Sequence, residues 1–194
     1  MATIGRATTA PLEHAEAPGS MLTHGAARAL AVLRIATGFV FLWAFLDKTF
    51  GLGYATPAER AWINGGSPTK GFLSGVEVGP FQDFFHTIAG AAWADWMFML
   101  GLLGVGAALI LGIGLRIAAV SAGLMMAFMW LAEWPLAQET AAGEATRSSN
   151  PLVDYHVVYG VVAVVLALAY AGHTWGLGRW WAKLPFVRKN RWLI

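Results

Sequence analysis

The sequence predicts an all-α integral membrane protein, a four-transmembrane-helix bundle, and three observations carry that expectation. Residues 26–50, 93–115, 116–134 and 152–175 are strongly apolar, and each is near the roughly 20 residues that a helix needs to cross a hydrocarbon core about 30 Å thick. Composition agrees, because 57% of residues are apolar and only 12% charged, with a mean hydropathy of +0.57, values wrong for a water-soluble domain of this length. The third observation is the distribution of charge. Arg6, Arg28, Arg116, Arg179, Lys183, Arg188, Lys189 and Arg191 flank one set of span ends, whereas the two segments on the other side carry Glu59, Glu77, Asp83, Asp95, Glu139 and Glu144 against Arg60, Lys70 and Arg147. Cations collect on the cytoplasmic side of a membrane protein, so both termini are expected there.

Three regions follow: a flexible cytoplasmic tail over residues 1–25, the bundle over 26–178, and a basic cytoplasmic tail over 179–194. The first region holds no apolar run ending in a small-residue cleavage site, so it does not read as a secretory signal. Trp43, Trp93, Trp96, Trp130 and Trp134 fall at the outer span ends, and Trp175, Trp180 and Trp181 at the inner ones, the two belts that interfacial anchoring produces. The chain has no cysteine. Thiolate, disulfide and iron-sulfur chemistry are thereby excluded from the chain itself, and redox work would need a partner or a diffusible cofactor. The pI is about 9.2, yet net charge is only +2; the clustered C-terminal cations fit a membrane surface rather than a nucleic acid.

Between spans one and two lies a long outer loop, from Gly51 to about Ala92, with a turn-rich start at Gly65, Gly66, Ser67, Pro68 and Thr69 and an aromatic patch at Phe81, Phe84 and Phe85. It reads as an interfacial or re-entrant lid. Gly66 to Gly71 has the spacing of a phosphate loop, but Phe72 stands where the lysine belongs and no strand precedes it, which argues against nucleotide binding. Spans two and three are joined through Gly112, Ile113 and Gly114, so they must form a tight antiparallel hairpin. Small residues recur every four positions at Gly104, Ala108 and Gly112, at Ala119, Gly123 and Ala127, and at Ala163, Ala167 and Ala171, and such ladders let helices approach closely in lipid. Extending the last ladder outward through Gly160 reaches His156, which helical periodicity therefore aims into the bundle with Tyr159 on the same side. Asp154 is two residues away, about 200° around a helix, so contact with His156 is not expected.

Ionisable groups at the outer span ends are functional candidates, since burying them in lipid is costly. They are Asp47 and Lys48 on span one, Asp95 on span two, Glu133 on span three, and Asp154 and His156 on span four. Structural roles compete: Asn150 and Pro151 suit a helix start, Asp154 complements a helix dipole, and Lys48 can snorkel. Arg34 lies two turns inside span one and either snorkels or pairs within the bundle. Facing histidines can hold haem in a bundle, but His156 and His173 stand on one span about 26 Å apart, and no metal is expected.

Arg34, Gly38, Phe41, the stretch Phe45-Leu46-Asp47-Lys48, the loop Gly65-Gly66-Ser67-Pro68 with Gly71-Phe72, and Asn150-Pro151-Leu152-Val153-Asp154-Tyr155-His156 resemble the DoxX/DoxD-like membrane proteins. The resemblance covers residues 26–175, and Phe45 departs from the glycine often found three residues before the lysine. It implies a multi-pass protein of the bacterial inner membrane, a quinone-linked redox role of the thiosulfate:quinone oxidoreductase type, and a partner subunit or homo-oligomer. A quinone headgroup needs aromatic walls, donors for its carbonyls and a proton route. On that basis His156, Tyr155 and Tyr159 are expected at the carbonyls, Trp43 and Trp130 as walls, Lys48 beside them, and Glu133, Asp47 and Asp154 as the proton route. Two other functions compete: a non-catalytic accessory or anchoring subunit of a membrane redox complex, and a small-solute permease, which no broken mid-membrane helix or inverted repeat supports. Sidedness is directly testable. A cysteine at Ser67 should react with an impermeant thiol reagent in intact cells, and labelling only after lysis would overturn the orientation.

Overall fold

Thr23 opens the first helix by accepting a hydrogen bond at its hydroxyl from Ala26 N at 3.2 Å, the standard way to satisfy a free amide at a helix start. The structure, a computed structural model, describes residues 23–146 and 148–194. The tail up to Leu22, with Arg6, and also Arg147 lie outside the described residues. Among the described residues eight α-helices follow one another: α1 His24–Phe50, α2 Lys70–Leu73, α3 Gln82–Ile88, α4 Ala92–Leu111, α5 Leu115–Glu133, α6 Tyr155–Leu168, α7 Gly178–Trp181 and α8 Pro185–Lys189. No strand forms among the described residues, only an isolated bridge of Glu139 with Ala145.

Helices α1, α4 and α5 are long and apolar enough to cross a membrane. They pack as α1 against α4, α4 against α5, and α5 against α6. The shared core holds Phe41, Met99, Leu102, Val105, Met126 and Leu166. Outward faces carry Val32, Phe39, Leu100, Val120, Phe128 and Val161, all exposed, while Arg34, Asp47, Asp95 and His156 are buried. Apolar outside and polar inside is the inverse of a water-soluble fold and suits a lipid solvent.

The fourth apolar stretch is not one long helix. α6 has 14 residues, about 21 Å at 1.5 Å per residue, and the chain then leaves the helix through Tyr170 at φ 51°, a 3-10 turn at Ala171–His173, and Trp175 at φ 50°. Arg34 explains the break. Its side chain is fully buried, with Nε donating to Ala171 O at 3.2 Å, Nη1 to Leu109 O and to Ile110 O at 2.7 Å, and Nη2 to Thr174 O at 3.4 Å and Trp175 O at 2.9 Å. A guanidinium has five N–H groups and no acceptor, so all of its donors are engaged. A continuing helix would have kept the carbonyls of Ala171, Thr174 and Trp175 for itself. Arg34 therefore pairs inside the bundle, as one of its two expected placements held, but with backbone carbonyls rather than a carboxylate.

Glycine makes that site possible. A Cβ on Gly112 would lie 3.0 Å from Arg34 Nη1, one on Gly176 3.1 Å from Nη2, and one on Gly172 would collide with the Gly112 carbonyl. Gly112 and Gly114 also take φ of 72° and 58°, which turns α4 into α5 within three residues as the tight hairpin required.

The small-residue ladders are partly displaced from where periodicity puts them. Gly104 and Gly123 would meet nothing within 4 Å if given a Cβ, so they face outward. Close approach of α1 to α4 depends instead on Gly38, whose Cβ would stand 2.8 Å from Leu109 Cβ, and Gly106, whose Cβ would stand 2.7 Å from Leu42 N. Ala163, Ala167 and Ala171 are buried as the third ladder expects.

The segment expected as a basic tail folds back on the bundle. Val187 and Leu193 are buried, Pro185 begins α8, and Trp181 Nε1 donates to Leu193 O at 3.0 Å. At the other end, Leu73 of α2, Val76 of the turn after it and Phe85 of α3 pack against Ala132 of α5, so the long loop is a folded cap on that end. Ser67 is half-buried and bonded to Asp95, which makes exposed Glu144 the cleaner position for a sidedness label.

Two stability predictions follow from these contacts. Arg34→Lys can refill at most three of the five hydrogen bonds and should lower stability in detergent by about 3–5 kcal/mol, the cost of breaking a buried charge site; an unchanged melting temperature would show that the carbonyls find other partners. Gly106→Ala should destabilise by about 1–3 kcal/mol through overpacking, whereas Gly104→Ala should be neutral or stabilise by up to about 1 kcal/mol through helix propensity. The same melting measurement on both variants separates the packed glycine from the lipid-facing one.

Candidate functional site

The C-terminal end of α5 and the start of α6 bring four of the expected site residues together. Asp154 is the N-cap of α6, with extended backbone at φ −105° and ψ −171°. Its Oδ1 accepts from His156 N at 3.0 Å and Val157 N at 3.2 Å, which frees Asn150 to cap the preceding turn through Leu152 N and Val153 N. Because the cap residue is not helical, the 200° separation expected between Asp154 and His156 does not apply. Asp154 Oδ2 instead lies 2.8 Å from His156 Nδ1. A carboxylate only accepts, so the neutral imidazole carries its proton on Nδ1 and presents Nε2 as an acceptor.

His156 is fully buried, as its place on the ladder required. Its Nε2 has no hydrogen-bond partner among the described residues, and an unsatisfied buried polar atom costs on the order of 1–3 kcal/mol. Glu133, the last residue of α5, points Oε2 to within 4.0 Å of Nδ1 while its side chain stays 37% exposed. Its other oxygen, Oε1, accepts from Tyr155 OH at 2.7 Å. The Tyr155 ring lies over the imidazole with centroids 4.0 Å apart. One face of the histidine thus meets two carboxylates and a phenol, and its far nitrogen is left open.

Tyr159, one turn on, is half-buried and packs edge-on against Phe41 of α1 with centroids 6.3 Å apart. Trp130 meets Trp134 edge-on with centroids 5.8 Å apart, and its Nε1 is a buried donor with no partner among the described residues. The α1 candidates form a separate group. Buried Asp47 accepts from Tyr54 N at 3.3 Å and Ala55 N at 3.1 Å, Trp43 lies tilted against Phe39 at 5.8 Å and edge-on to Tyr54 at 5.1 Å, and Lys48 is half-buried beside them. Asp47 thus holds the start of the outer cap against α1.

Asp95 does the same for the second half of the cap. Its Oδ1 accepts from Ser67 Oγ at 3.0 Å, Thr69 N at 2.9 Å and Thr69 Oγ1 at 2.6 Å. His86 and His173 direct ring nitrogens to Val76 O at 2.9 Å and Tyr170 O at 3.2 Å. A small cavity of about 20 Å³ lies at the opposite end, among Gly112, Tyr170, His173, Trp181 and Leu193, with room for about one water.

Sequence reasoning missed the Glu133 to Tyr155 bond and the loop partners of Asp95. The first joins residues 22 apart and the second residues 26 and 28 apart, so no local period links them. An extended cap residue followed by histidine two positions on was the available signal for the Asp154 and His156 pair. Comparison of the chain with known protein families, curated proteins and solved structures gives no match.

Proposed function

We propose that the chain is the membrane subunit of a quinone-linked oxidoreductase of the thiosulfate:quinone type, embedded in the bacterial inner membrane. The observation that carries this is the hydrogen-bonded pair of half-buried Asp154 and fully buried His156, whose Nε2 lacks a partner among the described residues. Such a group is suited to hydrogen-bond a carbonyl or hydroxyl of a ligand that enters from the apolar phase. Topologically, α6 and the turn after it complete a fourth crossing, both termini are cytoplasmic, and the site faces outward.

Bound quinone would supply the redox chemistry by taking up two electrons and two protons. The protein supplies proton handling. Protonated His156 donates from Nε2, and Asp154 and Glu133 stabilise the cation that this requires. Once Nε2 has given up its proton, the neutral ring accepts there and keeps Nδ1–H on Asp154. Exposed Glu133, with Tyr155 OH on its second oxygen, is the link to water. Tyr159 and Phe41 form an aromatic wall, and Trp130 offers a further free donor. Since His156 is fully buried, the ligand reaches it only when neighbouring side chains move. Electrons come from the reductant or through a partner subunit, because the chain has no cysteine for a thiolate or iron-sulfur relay.

His156→Ala should lower quinone reduction by roughly 100-fold or more, a typical effect of losing a positioned acid or base, while the protein still inserts. His156→Gln, which keeps a donor, should retain more activity. Intact turnover in both variants would favour an accessory or anchoring role within a larger redox complex.

A further inference from the structure

Glu133, Asp154 and His156 each place one ligand atom within 4.8 Å of the others, and the way each is held suggests a built site. Asp154 has Oδ1 tied to the amides of His156 and Val157 and turns Oδ2 to the imidazole. Glu133 has Oε1 tied to the Tyr155 hydroxyl and turns Oε2 to the same nitrogen. The imidazole is fully buried with Nε2 unpartnered, and Glu133 is 37% exposed, which opens the site to water. Anchoring the second oxygen of each carboxylate is what outer-shell groups do for metal ligands.

We propose that His156 Nδ1, Asp154 Oδ2 and Glu133 Oε2 bind a divalent transition-metal cation of the zinc type. One nitrogen and two carboxylate oxygens suit such an ion, with bonds of about 2.0–2.2 Å and a fourth position left for water. Tetrahedral bonds of that length set ligands about 3.3 Å apart, between the 2.8 Å of Nδ1 to Oδ2 and the 4.0 Å of Nδ1 to Oε2. Binding at Nδ1 requires the other tautomer, so the single proton of the neutral ring leaves Nδ1 and Nε2 takes one up, with no net change in ring charge. His156 then becomes a donor at Nε2, and its Nδ1 no longer donates to Asp154.

The inference goes beyond the quinone reading, and its test measures metal binding without turnover. Full-length protein in detergent, stripped with a chelator, is titrated with Zn²⁺ by calorimetry and with Co²⁺ as an optical reporter. One equivalent should bind. Glu133→Gln, Asp154→Asn and His156→Ala should each weaken Zn²⁺ binding by more than about 100-fold, and Tyr155→Phe, an outer-shell change, by about 10-fold. Asn still caps a helix, so Asp154→Asn should keep the metal-free melting temperature and remain a valid test. Wild-type protein that binds no Zn²⁺, or Asp154→Asn and Glu133→Gln proteins that bind it as tightly as wild type, would overturn the proposal.

Discussion

Arg34 is the constraint on which the inner half of the molecule depends. A cation buried without a carboxylate carries a desolvation cost of several kcal/mol, and here it is offset by five charge-assisted hydrogen bonds to carbonyls of the α4 end and of the chain beyond α6. The carbonyls of Leu109 and Ile110 belong to the last turn of α4, where helix dipoles concentrate negative potential and carbonyls lack intrahelical partners. The guanidinium supplies what those ends lack. Its planar fork also sets geometry: α1 must lie where one side chain can reach both chain ends, and the glycines at 112, 172 and 176 must leave it room. Shortening of α6 to Leu168 and the left-handed Tyr170 are consequences of that one side chain.

The outer half is organised by opposite charges used in the same manner. Asp47, Asp95 and Asp154 each accept from backbone amides of loops or of a helix start. Amides are available there because loops and N-termini leave them free, and a carboxylate that accepts two or three of them is well solvated by the protein. Asp47 and Asp95 close the cap over the bundle. Asp154 goes further, since one oxygen caps α6 and the other reaches the imidazole. Glu133, Asp154, Tyr155 and His156 meet where the end of α5 faces the start of α6, while Asp47, Trp43 and Lys48 form a separate group on α1.

This division bears on how a buried histidine stays useful. Packing alone would favour an apolar residue at position 156, given the orphaned Nε2 and the cost of leaving it unmatched. The surrounding carboxylates and phenol hold the ring in one orientation, so that cost is borne by a positioned group rather than by a mobile one. Preorganisation of that kind is what proton transfer or metal binding requires.

Apolar stretches, their lengths and the 3.6-residue period determined the helices, the α4 to α5 hairpin, the lipid-facing surfaces and the burial of His156, because each follows from neighbours within a few turns of one chain segment. Charge placement likewise picked out the outer span ends as the polar region. What the sequence could not specify were the contacts across long separations: Arg34 with a carbonyl 137 residues away, Glu133 with Tyr155, Asp95 with the cap, and Gly106 rather than Gly104 at the helix contact. Helical period says which residues share a face, but not which face meets which helix, nor where a chain leaves the helix to satisfy a buried cation. Those choices are made by three-dimensional packing and by the need to match every buried donor with an acceptor, and only the tertiary structure decided them.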